Sequence, residues 1–419
     1  MITLIEALNY RCLRWISRPL SGFNVLVGPN ASGKTTFLDV IGFLRDVSGE
    51  GLEHALLMRS TNPEDLLFRR QGDSFELAVE ALIPEELRAR TAVPEYSIAR
   101  YEIAIGFDET LRQFEFKGEK FLIKENSQPT GQMRCDFPEN VPSPGTIMTT
   151  KGGKGYKLVI SKAPGGNDTF HDETRSRTDK RWIPAFKLGS QRSALGNLPA
   201  DDSAFPVANW FREFLGAGVQ QFVLNSLQIR KPSPPTKVKG FLPDGSNLPW
   251  VIDRLRNDSH EKYKAWIAHL RTALPDLEGI STIERPEDKH RYLVYEYSGG
   301  FAIPSWLVSD GTLRLTALTL PAYLPRIDGM YLVEEPENGI HPGAVAAVYD
   351  SLSSVYDAQV LLASHSPVVL NAARPSDILC FAKNDDGATD IVRGDEHPRL
   401  REWQGEVKLG TLLAAGVLG

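Results

Sequence analysis

The stretch Gly28-Pro29-Asn30-Ala31-Ser32-Gly33-Lys34-Thr35-Thr36 constrains this chain more than any other. It satisfies G-x-x-x-x-G-K-[ST] between an apolar run, Phe23 to Val27, and an amphipathic one, Phe37 to Leu44. A strand before the pattern and a helix after it are the setting of a phosphate-binding loop. Glycines let the backbone curl until successive N–H groups point at a polyphosphate, with the positive end of the following helix behind them. Gly28, Asn30, Ser32, Gly33 and Thr36 are expected to cradle the phosphates of ATP. Lys34 is expected to reach the β and γ phosphates, and Thr35 to ligate Mg2+.

At 419 residues the chain is long enough for one large or two medium domains with an ample core. Its three cysteines, Cys12, Cys135 and Cys380, lie far apart with no C-x-x-C pair. That pattern indicates neither a disulfide framework nor a structural zinc site and fits a reducing cytoplasm. Met1 to Glu6 lacks a basic segment followed by a long apolar one, and no run of about eighteen apolar residues occurs. The expectation is a soluble, cytoplasmic protein without a membrane span. A net charge of −6 argues against coating nucleic acid with the whole surface and is compatible with a local basic patch.

Residues 2 to 12 read as a first strand, Asn24 to Val27 as the strand delivering the loop, and Ser32 to about Arg45 as a helix. From Phe75 to Lys124 the period changes to two. Phe114-Glu115-Phe116 and Phe121-Leu122-Ile123 flank an expected turn at Lys117-Gly118-Glu119-Lys120, and the whole reads as an antiparallel β lobe. Asn126 to Arg181 is polar and rich in Gly, Pro, Ser and Thr, which predicts long loops. Helical periodicity returns at Phe205 to Phe222 and from Leu248 to Leu274, where Trp250, Leu255, Tyr263, Trp266 and Leu270 are expected in the core. Strand-like runs come next, at Arg291 to Tyr297 and Gly300 to Ile303. No heptad register persists, so no long coiled coil is expected.

Met330-Tyr331-Leu332-Val333-Glu334-Glu335-Pro336-Glu337 is a short buried-strand pattern ending in adjacent carboxylates. Such a strand sets both acids at its carboxyl end, where Glu334 would hold magnesium, directly or through water, and Glu335 would orient and polarise the attacking water. Taken alone, the pair also reads as a solvated strand end. Val360 to Ala363 is another apolar strand, leading to Ser364-His365 about thirty residues after the carboxylates, a spacing suited to one helix and a return strand. His365 could then contact the γ phosphate and the water. Ser309-Asp310-Gly311-Thr312 precedes the apolar helical run Leu315 to Leu320 and reads in isolation as an ordinary N-cap.

In this order, phosphate loop, capped helix, strand with two glutamates and strand with histidine, the chain resembles ATPases of the ABC/SMC/RecF-like class. It is similar to the stand-alone ATPases of bacterial defence systems and the ATPase half of OLD-family nucleases. The resemblance covers residues 1 to 45 and about 300 to 372, with Asp244-Gly245-Ser246-Asn247-Leu248 as a weaker element. It implies an α/β, ABC-type P-loop ATPase head with an antiparallel β lobe and a helical, signature-bearing subdomain. In it, Ser309 and Gly311 would contact the γ phosphate held by a second copy, Pro336 to Gly339 would begin the D-loop, and His365 would be the switch histidine. The expected division is a first part of the core at 1–48, a β lobe and loop-rich insertion at 49–204, a helical and strand insertion at 205–299, and the rest of the core at 300–419.

Three positions depart from the pattern: Ala31 where many members have Gly, Glu334 for the usual Asp, and Asp310 for the first glycine of the transporter-type signature. Gln71 is a candidate Q-loop glutamine or a merely exposed residue, and Tyr10 and Arg11 either flank the adenine or serve the first strand.

The reading is a Mg-dependent ATP-hydrolysing switch whose heads associate head to tail on ATP. It would serve as the ATPase subunit of a prokaryotic anti-phage system. OLD-type enzymes carry a nuclease domain after the switch histidine, and the 54 residues after His365 are too few for one, so a separate effector protein, a nuclease or toxin, is expected. The alternatives are a RecF-like DNA repair ATPase and an ABC transporter subunit. For the former, Arg175, Arg177, Lys180 and Arg181 beside Trp182, and Arg230, Lys231, Lys237 and Lys239, would meet phosphates or be solvated loop charges.

Overall fold

The computed structural model describes residues 1–108, 112–126, 134–150, 153–175, 185–199, 201–235, 240–325, 329–400 and 408–415. The chain opens with a hairpin instead of the single strand expected over 2–12. Ile2–Tyr10 and Leu13–Pro19 pair antiparallel, with Tyr10 opposite Leu13. The tight turn uses Arg11 at φ 51 without the Asn-Gly or Gly that usually signals it, which is why the sequence pattern hides it.

This hairpin begins an antiparallel sheet whose described strands run in the order Leu13–Pro19, Ile2–Tyr10, Ser74–Leu82, Ile98–Asp108, Gln113–Lys124, Tyr156–Lys162, Asp168–Phe170 and Ala185–Phe186. Two expectations fail here. Residues 113 to 124 form one strand, with no turn at Lys117 to Lys120: Ile105 pairs with Phe116 and Ala104 with Gly118, so Lys117 is the extra residue of a bulge. The charges misled because Glu119 is a core residue, fully buried and accepting hydrogen bonds from Tyr101 Oη (2.9 Å), Ser193 Oγ (2.7 Å) and the N–H groups of Ala194 (2.6 Å) and Leu195 (2.9 Å). The polar stretch after Asn126 likewise holds two strands, Tyr156–Lys162 and Asp168–Phe170, which extend the sheet.

The second sheet runs in the order Val219–Phe222, Met330–Glu334, Gln359–Ala363, Phe23–Val27, Ile378–Lys383 and Thr389–Arg393, the first five parallel and the last antiparallel. The runs Val25-Leu26-Val27 and Val360-Leu361-Leu362 are apolar throughout because both faces of these strands are covered. Val219–Phe222 corrects the helical reading of 205 to 222. The helix Pro206–Glu213 passes through a π turn, Phe214–Gly218, into this strand, whose Phe222 ring meets Tyr331 and Phe241 at 5.0 and 5.2 Å.

One large core lies between the antiparallel sheet, the helix Lys34–Gly49 and one face of the parallel sheet. The other covers the opposite face with the helices Leu248–Asp258, His260–Arg271, Asp310–Thr319 and Pro342–Ser353. A three-stranded sheet, Leu277–Glu284, Arg291–Tyr297 and Phe301–Pro304, backs these helices. The longest described helix has 16 residues, and no described helix is long and apolar enough to cross a membrane. Strand register brings the motifs together. Glu334 and Leu26 both lie opposite Ala363, so the segments after all three strands emerge side by side.

Candidate functional site

The loop after Phe23–Val27 is shaped by residues that tolerate unusual backbone. Gly28 has φ 152, and a Cβ there would sit 2.2 Å from the carbonyl oxygen of Phe381; Gly33 has φ 104, and a Cβ would sit 2.3 Å from Thr389 Oγ1. Side chains are excluded at both by contact as well as by torsion. Ala31 takes φ 61, a left-handed geometry that costs an alanine about 1 kcal/mol. Lys34 Nζ donates to the carbonyls of Gly28 (2.8 Å) and Pro29 (2.9 Å). Burial lowers the Lys34 pKa, and the Glu335 and Glu334 carboxylates pull it back up. Ser32 Oγ is buried with no hydrogen-bond partner among the described residues, and no acid occupies the first turn of Lys34–Gly49. A loop with an orphaned hydroxyl, free helix N–H groups and an ammonium suits a bound polyphosphate. Asn30 is exposed, while Thr36 lines a cavity with Arg11, Cys12, Asp65, Arg69 and Arg70.

Across the cleft, Glu334 Oε2 accepts a 2.6 Å hydrogen bond from Thr35 Oγ1, and its Oε1 accepts from Gln221 Nε2 at 3.0 Å. A hydroxyl and a carboxylate side by side fit magnesium, which takes a few protein oxygens and completes its shell with phosphate and water. No cluster of three or more His, Cys, Asp or Glu that could hold a metal occurs among the described residues. Glu335 has φ 47, and its N–H bonds to the Ala363 carbonyl at 2.8 Å. Its Oε1 lies 3.9 Å from His365 Nε2, and its Oε2 accepts from Asn338 Nδ2. Burial and then the Lys34 ammonium lower the His365 pKa, against the pull of Glu335 and Glu337. The lowering favours the neutral imidazole, the form in which one ring nitrogen can accept a hydrogen bond.

Ser309 caps Asp310–Thr319, its Oγ accepting from the Thr312 N–H at 3.2 Å. Gly311 leaves room for the loop after the carboxylates, since a Cβ would lie 2.7 Å from the Gly339 carbonyl oxygen. The described side-chain hydrogen bonds of Ser309 stay within its own helix turn, while the fold brings Lys34, Thr35, Glu334, Glu335 and His365 together in one cleft.

Several residues stand elsewhere than the sequence suggested. Tyr10 is fully buried, its Oη on Asp39 Oδ2 at 2.6 Å and its ring against Phe75 and Phe43, so it cannot flank a base. Arg11 does border the cavity beside Thr36. Gln71 ends an exposed 3-10 turn, and the glutamine on the Glu334 carboxylate is Gln221, hidden by the helical reading of its strand. Thr389 and Glu337 were also missed. Thr389 Oγ1 donates to the Ser32 carbonyl at 2.8 Å. Glu337 Oε1 accepts from Ser364 Oγ and the His365 N–H, both at 2.8 Å. Of the basic clusters, Arg175 pairs with Asp172 and Arg230 with Asp310; Arg177, Lys180, Arg181, Trp182, Lys237 and Lys239 lie outside the described residues.

A parallel sheet carrying a phosphate loop, with an antiparallel lobe on one side and a helical lobe on the other, is the head fold of ABC- and SMC-type ATPases. Comparison with known proteins makes the family definite. Residues 23–131 and 166–371 match AAA_21, described as "AAA domain, putative AbiEii toxin, Type IV TA system", and the chain belongs to that family. It is 49% identical over 43 residues to the "DNA replication and repair protein RecF" of Moorella thermoacetica, a match spanning 10% of this chain and 11% of that relative. Among solved structures it is similar to an SMC head bound to the C-terminal winged-helix domain of ScpA, with TM-score 0.53, 14% identity, 93% of this chain and 97% of the other. The SMC head with an extended coiled coil bound to the C-terminal domain of ScpA, derived from Pyrococcus furiosus, gives TM-score 0.53, 12% identity and coverage of 93% and 95%. The chain is an AAA_21 protein with the fold of SMC heads.

Proposed function

We propose that this protein is a magnesium-dependent ATP hydrolase acting as a conformational switch. The observation that carries the reading is the 2.6 Å contact between Thr35 Oγ1 and Glu334 Oε2, with the Glu335 carboxylate beside His365. Lys34 and the loop N–H groups would neutralise the β and γ phosphates. Thr35 and Glu334 would hold magnesium, which supplies further charge neutralisation at the phosphates. Glu335 would accept the proton of the attacking water, Asn338 would fix its second oxygen, and neutral His365 would hydrogen-bond the γ phosphate or that water. Replacing Glu335 by Gln removes the proton acceptor and keeps the shape, so ATP binding persists while turnover falls about 100-fold. Turnover at the wild-type rate in Glu335→Gln would remove Glu335 from this role.

In the same reading Ser309 and Gly311, at the start of Asp310–Thr319, face the γ phosphate of a second copy. We further read it as the cytoplasmic ATPase subunit of an anti-phage system working with a separate nuclease or toxin; the family description, with its toxin and type IV toxin–antitoxin terms, supports only the toxin–antitoxin context. The SMC heads bound to ScpA domains support a protein partner. The 43-residue match to RecF favours a second reading, a DNA repair ATPase. Salt-sensitive DNA binding, weakened when Arg175, Arg177, Lys180 and Arg181 are neutralised together, would choose it.

A further inference from the structure

Residues 146 to 149, Thr-Ile-Met-Thr, lie across the face of the antiparallel sheet that points away from the main core, and side chains of the sheet hold their backbone. The Ile147 N–H donates to Glu76 Oε2 at 2.6 Å, and the Ile147 carbonyl accepts from Arg100 Nη2 at 2.9 Å. The Thr149 N–H donates to Glu102 Oε1 at 2.7 Å, and the Thr149 carbonyl accepts from Lys120 Nζ. Thr146 Oγ1 donates to Glu76 at 2.9 Å and accepts the Met148 N–H at 3.0 Å, while Thr149 Oγ1 donates to Glu102 Oε2 at 3.0 Å. Each peptide group at 147 and 149 is thus read by a charged side chain of matching sign.

The surface beneath is shaped for the same segment. Ile147 fills a dimple of Leu8 and Ala78 bordered by Trp15, a small apolar cluster separate from both main cores. Gly118 is bare where Met148 passes, since a Cβ there would sit 3.1 Å from Met148 Cε. Strand register puts these features together: Leu8 lies opposite Glu76 and Trp15, Glu102 opposite Ala78 and Lys120, and Gly118 opposite Ala104. The segment adds no strand to the sheet. The charges of this face also pair with one another, Arg100 with Glu6, Glu80 and Glu102 and Lys120 with Glu102. Within that network the carboxylates Glu76 and Glu102 take N–H groups of the segment while Arg100 and Lys120 take its carbonyls, as in recognition of an extended peptide.

We propose that this face is a peptide-binding groove held closed in cis by residues 146–149, and that an extended segment of a partner protein displaces them. The cis occupant defines the chemistry of that segment: a hydroxyl residue, an aliphatic residue, any residue, then a second hydroxyl residue. Among the described residues of the face, the carboxylates Glu6, Glu76, Glu80 and Glu102 outnumber Arg100, Lys120 and Lys124, which disfavours an acidic segment.

The test uses the full chain and a fluorescent peptide with the sequence of residues 143–150, beside a scrambled control, read by anisotropy. In Ile147→Asp a carboxylate replaces the apolar plug among like charges, which releases the cis segment. This variant should bind the peptide at least about tenfold more tightly than the wild type and ignore the scrambled one. Adding Gly118→Leu, which fills the floor under Met148, should abolish that binding. Peptide affinity no greater than in the wild type, or equal binding of both peptides, overturns the groove. Should Ile147→Asp fail to fold, hydrogen exchange in the wild type decides. Exchange of the Ile147 and Thr149 amides at least about 100-fold faster than those of Tyr101 and Ile103 supports a segment that opens alone. Exchange at the rate of the strand shows that it opens only with the fold, and the proposal fails.

Discussion

Glu337 Oε1 takes the backbone N–H of His365 at 2.8 Å, joining the turn after the carboxylate strand to the end of the neighbouring strand. The same oxygen takes Ser364 Oγ, so one carboxylate fixes the base of the histidine without touching its ring. Removing the acceptor strands two donors, each costing about 1 kcal/mol or more. Glu337→Ala should therefore lower kcat for ATP hydrolysis about tenfold with KM within about twofold of wild type, and Glu337→Gln, which keeps an accepting oxygen, should restore most of it. Steady-state kinetics of the three proteins decide, and an unchanged kcat in Glu337→Ala would leave Glu337 a purely structural residue.

Lys34 is the buried cation of the phosphate loop and donates to the Gly28 and Pro29 carbonyls. Lys34→Ala should weaken ATP binding about 100-fold, on the order of 3 kcal/mol for a charge-assisted contact. Calorimetric titration with ATP and magnesium checks this, and wild-type affinity would sink the assignment.

Ser309 caps its own helix and Gly311 lies against the Gly339 carbonyl, in the loop that follows the carboxylate strand. Ser309→Arg should block ATP-dependent association of two copies while each copy still binds ATP, because a guanidinium would occupy the space a γ phosphate must enter. Light scattering of Glu335→Gln with ATP, with and without Ser309→Arg, measures the difference. Equal dimer in both would show that the capped helix does not act across copies.

Glu173 gives the protein a pH-dependent stability. Its carboxylate is buried at the start of Pro206–Glu213, accepting the N–H groups of Val207 (2.6 Å) and Ala208 (2.8 Å). Desolvation outweighs these bonds and pushes its pKa up to about 7. A carboxyl raised in the folded state binds more protons folded than unfolded, so its stabilisation is complete below its unfolded pKa and is lost as pH rises through about 7. Between pH 5 and pH 8 the Tm should fall, by an amount on the order of 2–3 kcal/mol of stability, and Glu173→Gln should flatten the profile. Thermal melts across that range are the measurement; equal slopes for both proteins would assign the dependence to other groups.

The parts of the site written into contiguous motifs were legible beforehand. Lys34 and Thr35 come directly after a strand, Glu334 and Glu335 end one, and His365 lies just beyond another, so alternation of apolar runs and polar ends was enough. Gln221, Thr389 and Glu337 were not legible, because each acts through a contact whose partner is set by sheet order. Thr389 meets Ser32 across 357 residues, and Gln221 meets Glu334 across 113. The β lobe misled through its charges: Glu119 reads as a turn residue until Tyr101, Ser193 and two peptide N–H groups neutralise the cost of burying it. For Tyr10 the structure chooses the structural one of the two readings open in the sequence, its ring buried and its hydroxyl spent on Asp39.

The brace from Thr389 to the Ser32 carbonyl also fixes when in synthesis the nucleotide site can exist. The edge strand that steadies the phosphate loop, Thr389–Arg393, is reached 357 residues after Ser32 and emerges from the ribosome after every other strand of that sheet. A nascent chain arrested just after His365 holds all the motifs of the cleft and lacks the grip on its loop. A ligand held by that loop can therefore stabilise the folded chain fully only once Thr389–Arg393 has been made, and it cannot template the earlier steps of folding.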